Sequence, residues 1–287
     1  MGIDLNLVED EQQIFDTINS LGVKLTTAEL LKNYFFNRDE IDKYSIFWKD
    51  VFEKDDDTYM YWDREITAGR IRRTVIDLFF YSYLQIKIQE KIFKVNTIDK
   101  MDFSKVENLF ESYKRFIKDY KLNKDEVIKE IKEYALIFIE NFEPEIVNNE
   151  LSHSHGIERV NAIIFGLEQS TLIPYILYVL KNVNCKDDRN SIFKFIESYI
   201  MRRMIVKATT KNYNQLFTDR LINNEVLSKD QLINLLTEND NKINFIPSDE
   251  SLQKGFDESI LINYQAVGIL YMIETIVRDK SKHSTKL

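Results

Sequence analysis

Glu9-Asp10-Glu11-Gln12-Gln13-Ile14-Phe15-Asp16-Thr17-Ile18-Asn19-Ser20-Leu21-Gly22-Val23-Lys24-Leu25-Thr26-Thr27-Ala28-Glu29-Leu30-Leu31-Lys32-Asn33-Tyr34 reads as a helix, a stop and a second helix. Ile14, Phe15 and Ile18 recur at helical spacing and give the first helix an apolar face. Asn19-Ser20-Leu21-Gly22 ends it, because Gly22 takes the left-handed conformation of a C-terminal cap at no steric cost. Thr26 followed by Glu29 has the spacing of a capping box, which satisfies two backbone donors at a new helix start. Leu30, Leu31, Tyr34 and Phe35 then continue a second apolar face.

Composition carries the helical reading to the rest of the chain. Seven glycines and three prolines in 287 residues fall far below the roughly 7% and 5% of an average protein. So little turn punctuation argues against an all-β fold and against repeated βα units. Apolar residues at 44% and aromatics at 13% supply a core and exclude overall disorder. The expected fold is all-α: a multi-helix bundle, one body or two helical subdomains, with at most a short strand at the N-terminus.

Charge and cysteine usage narrow the function classes. The net charge is −8, from 39 basic and 47 acidic side chains. Any binding to nucleic acid then needs a local basic patch, because the overall field repels a polyanion. A single cysteine, Cys185, excludes an internal disulfide, fits a reducing cytoplasm and is expected to be a buried small hydrophobe. The most apolar window, Ala162 to Leu180, is interrupted by Glu168, Gln169 and Ser170. It is too short for a membrane span and reads as a buried hairpin.

Along the chain, Ile41, Ile46, Phe47, Val51 and Phe52 mark a short helix beside Trp48, and Lys54-Asp55-Asp56-Asp57 reads as a solvated loop. A long helix is expected from about Arg64 past Gln89, with a very apolar stretch from Leu78 to Ile88 that belongs at the centre of a bundle. Residues 102–122 form another, and Asn123 with Glu126 suggest a second capping box. Periodicity is lost between Pro144 and Gly156, the expected subdomain boundary. Helices are expected over 157–167, 171–182, 189–206, 212–223, 228–237 and 260–279, with a polar loop from Asn239 to Gly255.

The opening stretch also resembles a known family. Phe15, Asn19, Gly22, Leu25, Thr26 and Glu29 lie in a pattern similar to the motif closing the N-terminal domain of GmrSD-type restriction endonucleases. Two later segments agree with that family's helical region. They are Ile196 to Ile205, followed by Thr209 to Asn214 and Phe217, and Ile269-Leu270-Tyr271-Met272-Ile273-Glu274, near where the family runs into its nuclease domain. The resemblance implies a remnant of the N-terminal domain over 1–36 and helical subdomains over 37–145 and 156–287. The Asp-Gly-Gln-Gln-Arg motif that the family carries upstream and the Glu-His-Ile-x-Pro motif of its His-Asn-His nuclease do not occur in the sequence. No residue therefore inherits a catalytic role. The resemblance implies a helical scaffold whose partners are domains or subunits carrying the nucleotide-binding and nuclease parts of a DNA restriction system, with no cofactor held in this chain.

The glycines are too far apart for a phosphate-binding loop. Ser152-His153-Ser154-His155 places two histidines at i and i+2 with no third ligand nearby, so a polar loop is expected rather than a metal site. The carboxylates Glu126, Glu130 and Glu133 read as a solvated helix face. The strongest candidate is basic. Arg202, Arg203, Lys207, Lys211 and Arg220 oppose a single acid, Asp219, between Met201 and Arg220, and Asn212, Tyr213 and Asn214 add groups used to bond or stack on nucleic acid. The plainer account is a helix C-terminus whose arginines pair with neighbouring carboxylates. Arg64, Arg70, Arg72 and Arg73 would enlarge the basic surface if they face the same way. An autonomous nucleic-acid-binding protein is thus the alternative to the scaffold.

Overall fold

A computed structural model describes residues 25–68, 71–237, 243–258 and 263–281. Phe15, Asn19 and Gly22, together with Arg70 and the tail carrying His283, lie outside the described residues. Helix α1 (Thr27–Phe35) opens with the expected box. Thr26 Oγ1 accepts the Glu29 N–H at 3.2 Å, and Glu29 Oε2 accepts the Thr26 N–H at 2.8 Å. Ala28, Leu31 and Phe35 turn inward.

The described residues are helical apart from loops and one two-stranded antiparallel sheet. Helix α2 (41–52) contains a π turn over Ser45–Lys49. The extra residue in that turn rotates the faces that follow. Trp48, Val51 and Phe52 are buried while Ile41 and Ile46, expected to pack, face solvent. Lys54-Asp55-Asp56-Asp57 is not simply a loop: Asp55 caps α3 (Asp56–Asp63), accepting the Thr58 N–H at 2.8 Å.

The long helix expected from Arg64 is corrected to a hairpin and a shorter helix. Strands β1 (Glu65–Ala68) and β2 (Ile71–Thr74) pair with Glu65 opposite Thr74 and Ile66 opposite Arg73. The β-branched Ile66, Thr67, Ile71 and Thr74 suit strands better than a helix interior. Thr74 then caps α4 (Val75–Lys87), accepting the Asp77 N–H at 3.3 Å.

Helix α4 forms the centre. Val75, Leu78, Phe79, Phe80, Tyr83, Leu84 and Ile86 are all buried along it. Residues expected in one helix over 102–122 instead fall in α5 (Thr97–Phe103) and α6 (Leu109–Asp119). Asn123 caps α7 (Lys124–Asn141) by accepting the Asp125 N–H at 2.8 Å. It is an Asn cap rather than the reciprocal box expected with Glu126. Trp48 stacks on Phe80 at 5.6 Å and Trp62 on Phe138 at 5.6 Å, joining α2, α3, α4 and α7 in one aromatic layer.

Beyond the irregular stretch 144–156 come α8 (157–166), α9 (Ile173–Asn182), α10 (Lys186–Ile205), α11 (213–223) and α12 (Lys229–Thr237). Helix α9 lies against α4 and α7, so buried residues on both sides of 144–156 belong to one core. The expected loop from Asn239 contains a helix, α13 (Asp249–Glu258), opened by Ser248 accepting the Ser251 N–H at 3.2 Å. It sits close on the end of α10, where a Cβ at Gly255 would come within 3.1 Å of the Ile205 carbonyl oxygen. Helix α14 (Asn263–Ser281) completes the bundle. A Cβ at Gly268 would meet Leu167 Cδ2 at 2.3 Å, so a larger residue there would require Leu167 to move. Cys185 is exposed at the start of α10, not buried as expected. No helix among the described residues is long and apolar enough to cross a membrane.

Two predictions follow from the caps of α1 and α4. Replacing Thr26 with Ala removes a side-chain cap and should lower stability by about 1 kcal/mol, read from urea unfolding. Asp77 Oδ1 is buried with no hydrogen-bond partner, and burial pushes its carboxyl above the ordinary range, against the Thr74 bond and the charge of Arg73. A raised folded-state value means stability is complete in acid and falls as pH rises and the buried group ionises. Asp77→Asn should therefore unfold at higher urea than the parent at neutral pH, with the gap closing in acid.

Candidate functional site

The expected basic cluster begins at the end of α10, and the structure divides it. Arg203 is wholly buried. Its Nε donates to Tyr213 Oη at 2.9 Å, one terminal nitrogen to the Phe245 carbonyl at 3.0 Å and the other to the Thr209 carbonyl at 2.6 Å. The guanidinium carbon lies 5.3–5.4 Å from the ring centres of Tyr199, Tyr213 and Phe245. A cation here is stabilised by carbonyl dipoles and aromatic faces, not by a carboxylate. Arg203 and Tyr213, expected to meet nucleic acid, instead face the interior.

Arg202 follows the plainer account. It pairs with Asp249 at 2.7 Å and donates to the Pro247 carbonyl at 3.0 Å. With Tyr199 Oη donating to the Asn244 carbonyl at 3.1 Å, the last two turns of α10 hold the stretch 244–249 through the carbonyls of Asn244, Phe245 and Pro247 and the carboxylate of Asp249. Lys207 is exposed and adopts a positive φ of 51°, which turns the chain so that the Ala208 N–H reaches the Arg203 carbonyl at 2.9 Å. Lys211 is exposed and Arg220 half-buried. Asn214 Oδ1 accepts Tyr81 Oη at 3.0 Å. The five cations therefore do not present one surface.

The second basic group is also divided. Arg64 pairs with Glu145 and Arg72 with Glu65. Arg73 is half-buried, with its ionisation pulled down by burial against the charges of Asp77 and Glu107.

A constellation that sequence reasoning missed lies between α8, α10 and α14. Arg159, wholly buried, gives Nε to both oxygens of Glu197 at 2.9 and 3.0 Å, and a terminal nitrogen to Glu197 Oε1 at 2.6 Å. The remaining donors reach the Ser152 carbonyl at 2.9 Å, Thr275 Oγ1 at 2.9 Å and the Met272 carbonyl at 3.0 Å. All five guanidinium hydrogens thus have acceptors. His155 Nδ1 lies 2.9 Å from Glu197 Oε2. The histidine loop is therefore tied to a carboxylate, but Glu197 is already filled by Arg159, and the arrangement fastens α14 to the bundle. Among the described residues, no group of three or more His, Cys, Asp or Glu could hold a metal ion. One signal was available: Glu197 sits on the same stripe of α10 as Phe193 and Ile200, where an acid is out of place unless it meets a buried cation.

Glu130 is likewise not merely solvated, since it accepts Tyr83 Oη at 2.8 Å and Lys87 Nζ at 3.0 Å. Glu53 gathers Lys32 Nζ at 3.0 Å, Tyr44 Oη at 2.5 Å and Trp48 Nε1 at 3.0 Å. Burial raises that carboxyl, but the three donors together outweigh burial and hold it below its ordinary value.

Beside the Arg159 node, α14 and the stretch 146–151 enclose a cleft of about 710 Å³, lined by Val147, Leu151, Leu167, Val267, Tyr271 and Met272 among others. Val267 belongs both to this lining and to the outer face of α14. There Val267, Leu270, Ile273 and Val277 are 64%, 61%, 38% and 54% exposed, while Ile269, Met272 and Thr275 are buried on the other face. Spacings of three, three and four residues keep the exposed four on one stripe. Comparison with protein-family models, curated proteins and solved structures gave no match.

The two arginines of α10 should respond differently to truncation. Arg203→Ala leaves three acceptors without a donor and a void among aromatic rings, and should cost about 3 kcal/mol. Arg202→Ala removes a partly exposed pair and should cost less than about 1 kcal/mol. Chemical denaturation of both variants checks the ranking.

Proposed function

We propose that this chain is a helical scaffold, an interaction module of a GmrSD-like DNA restriction system. In this reading it docks a nuclease-bearing domain or subunit on the outer face of α14. The observation that carries the reading is the apolar stripe of Val267, Leu270, Ile273 and Val277, on a helix whose inner face is held by the Arg159 node. A stripe of this width is the surface one helix offers another, and the adjoining cleft offers a pocket for an anchoring side chain. The stripe also overlaps Ile269 to Glu274, the segment that resembles the family where its helical region meets the nuclease. Fastening α14 from behind fits such a role, because a docking helix transmits position only if it is itself held.

The test is reconstitution. The chain is co-expressed with polypeptides encoded beside it that carry the Asp-Gly-Gln-Gln-Arg and Glu-His-Ile-x-Pro motifs. A stable complex with nucleotide-dependent DNA cleavage is expected. The double change Leu270→Asp and Val277→Asp should weaken assembly at least about tenfold while leaving the unfolding midpoint near that of the parent. Failure to form any complex, or a complex indifferent to these changes, overturns the reading.

A further inference from the structure

The cleft beside the Arg159 node has an apolar inner wall and apolar edges. Leu151, Leu167 and Met272 line it and are buried. Val147, on the stretch 146–151, is 56% exposed, and Val267, across from it on α14, is exposed as well. Two glycines complete the lining, Gly166 and Gly268. A Cβ at Gly166 would lie 3.1 Å from Val147 Cγ1, and one at Gly268 would meet the Leu167 side chain. A side chain at either position would take space from the walls. Through Val267 the cleft runs into the outer stripe of α14.

Size and surroundings set the form of an occupant. A cavity of roughly 150 Å³ holds one benzene ring, so a cleft of about 710 Å³ takes several side chains from one element. An added strand needs a sheet edge to bond, and among the described residues no strand borders this cleft. A helix needs no backbone partner, and its residues at i, i+3, i+4 and i+7 project from one face.

Charge sets its chemistry. Arg278 Nε donates to Glu274 Oε1 at 2.6 Å, and its guanidinium lies 3.7 Å from Glu150. The arginine side chain is 14% exposed, whereas those of Glu274 and Glu150 are 41% and 75% exposed. Two carboxylates thus face water over one cation set back from it, and the rim is complementary to positive charge.

We propose that the element docked here is an amphipathic helix with a basic flank. Its apolar residues enter the cleft and continue along Val267 and Leu270, while a lysine or arginine beside them meets Glu150 and Glu274. This helix is the contacting element of the partner placed on α14 above, and it presupposes that docking.

The test is fluorescence anisotropy of the full chain with three labelled peptides of about 18 residues, five helical turns. One carries leucines on one helical face and lysines on the other. The second has glutamate for lysine, and the third scrambles the leucine–lysine sequence. Only the first is expected to bind saturably, one to one, and more weakly as salt rises. Val147→Asp and Glu150→Lys should each weaken it about tenfold. Both residues are exposed, so an unfolding midpoint near that of the parent is expected for each variant. Equal binding of the glutamate or scrambled peptide, no saturation, or affinity unchanged in both variants overturns the proposal. Reconstitution separates it from the scaffold. A complex that depends on Leu270 and Val277 but tolerates Val147→Asp and Glu150→Lys keeps the scaffold and removes the helix, whereas no complex at all removes both.

Discussion

The contact on which the C-terminal half depends is the buried guanidinium of Arg159. Removing such a charge from water is costly, and the cost is offset only if every donor finds an acceptor and a counter-charge lies in contact. Glu197 on α10 supplies the counter-charge, and Ser152, Met272 and Thr275 supply the remaining acceptors from a loop and from α14. Few arrangements of three helices and a loop satisfy all five hydrogens at once. The pair therefore specifies where α14 sits more than it adds to stability. Gly268 leaves the Leu167 side chain room against α14 that a Cβ would take.

Arg203 shows the same element solving the same problem differently. One turn and a half after Glu197, α10 buries a second cation, and here three aromatic rings and three neutral oxygens take the place of a carboxylate. Two of its acceptors lie in the connections around it, Thr209 before α11 and Phe245 before α13, and the third, Tyr213, opens α11. One arginine thus orders a helix and the other orders loops. Neither is available to a phosphate backbone.

Helix was the part of this molecule most legible in its sequence. Scarce glycine and proline, the capping residues Thr26 and Asn123, and the apolar run of α4 are local signals, and helix formation answers to local signals. The boundaries that went astray share a cause. From Arg64 to Thr74 apolar and basic residues keep a pattern that a helix could also use, and the hairpin is decided by β-branched residues and by Thr74 capping α4. In α2 the π turn displaces the face by one residue, which periodicity cannot register. The basic cluster misled for a related reason. Charge counts along a chain do not distinguish a cation facing water from one enclosed by rings and carbonyls contributed from more than forty residues away, as Phe245 is from Arg203. Glu197 on an apolar stripe was the legible clue, and it pointed to a buried partner without naming Arg159.

Taking the arginines out of solvent changes the electrostatic character of the surface. The chain carries a net −8; Arg159 is neutralised inside the core by Glu197, whereas Arg203 is held by neutral oxygens and rings without a counter-charge. Arg64, Arg72 and Arg202 are each held against a carboxylate. Each such pair takes an acid with its base and leaves the balance acidic, so a polyanion gains little from the long-range field. Two kinds of partner are compatible with such a surface: apolar ones, which ignore the field, and cationic ones, which are drawn by it. The exposed stripe of α14 is a surface of the first kind.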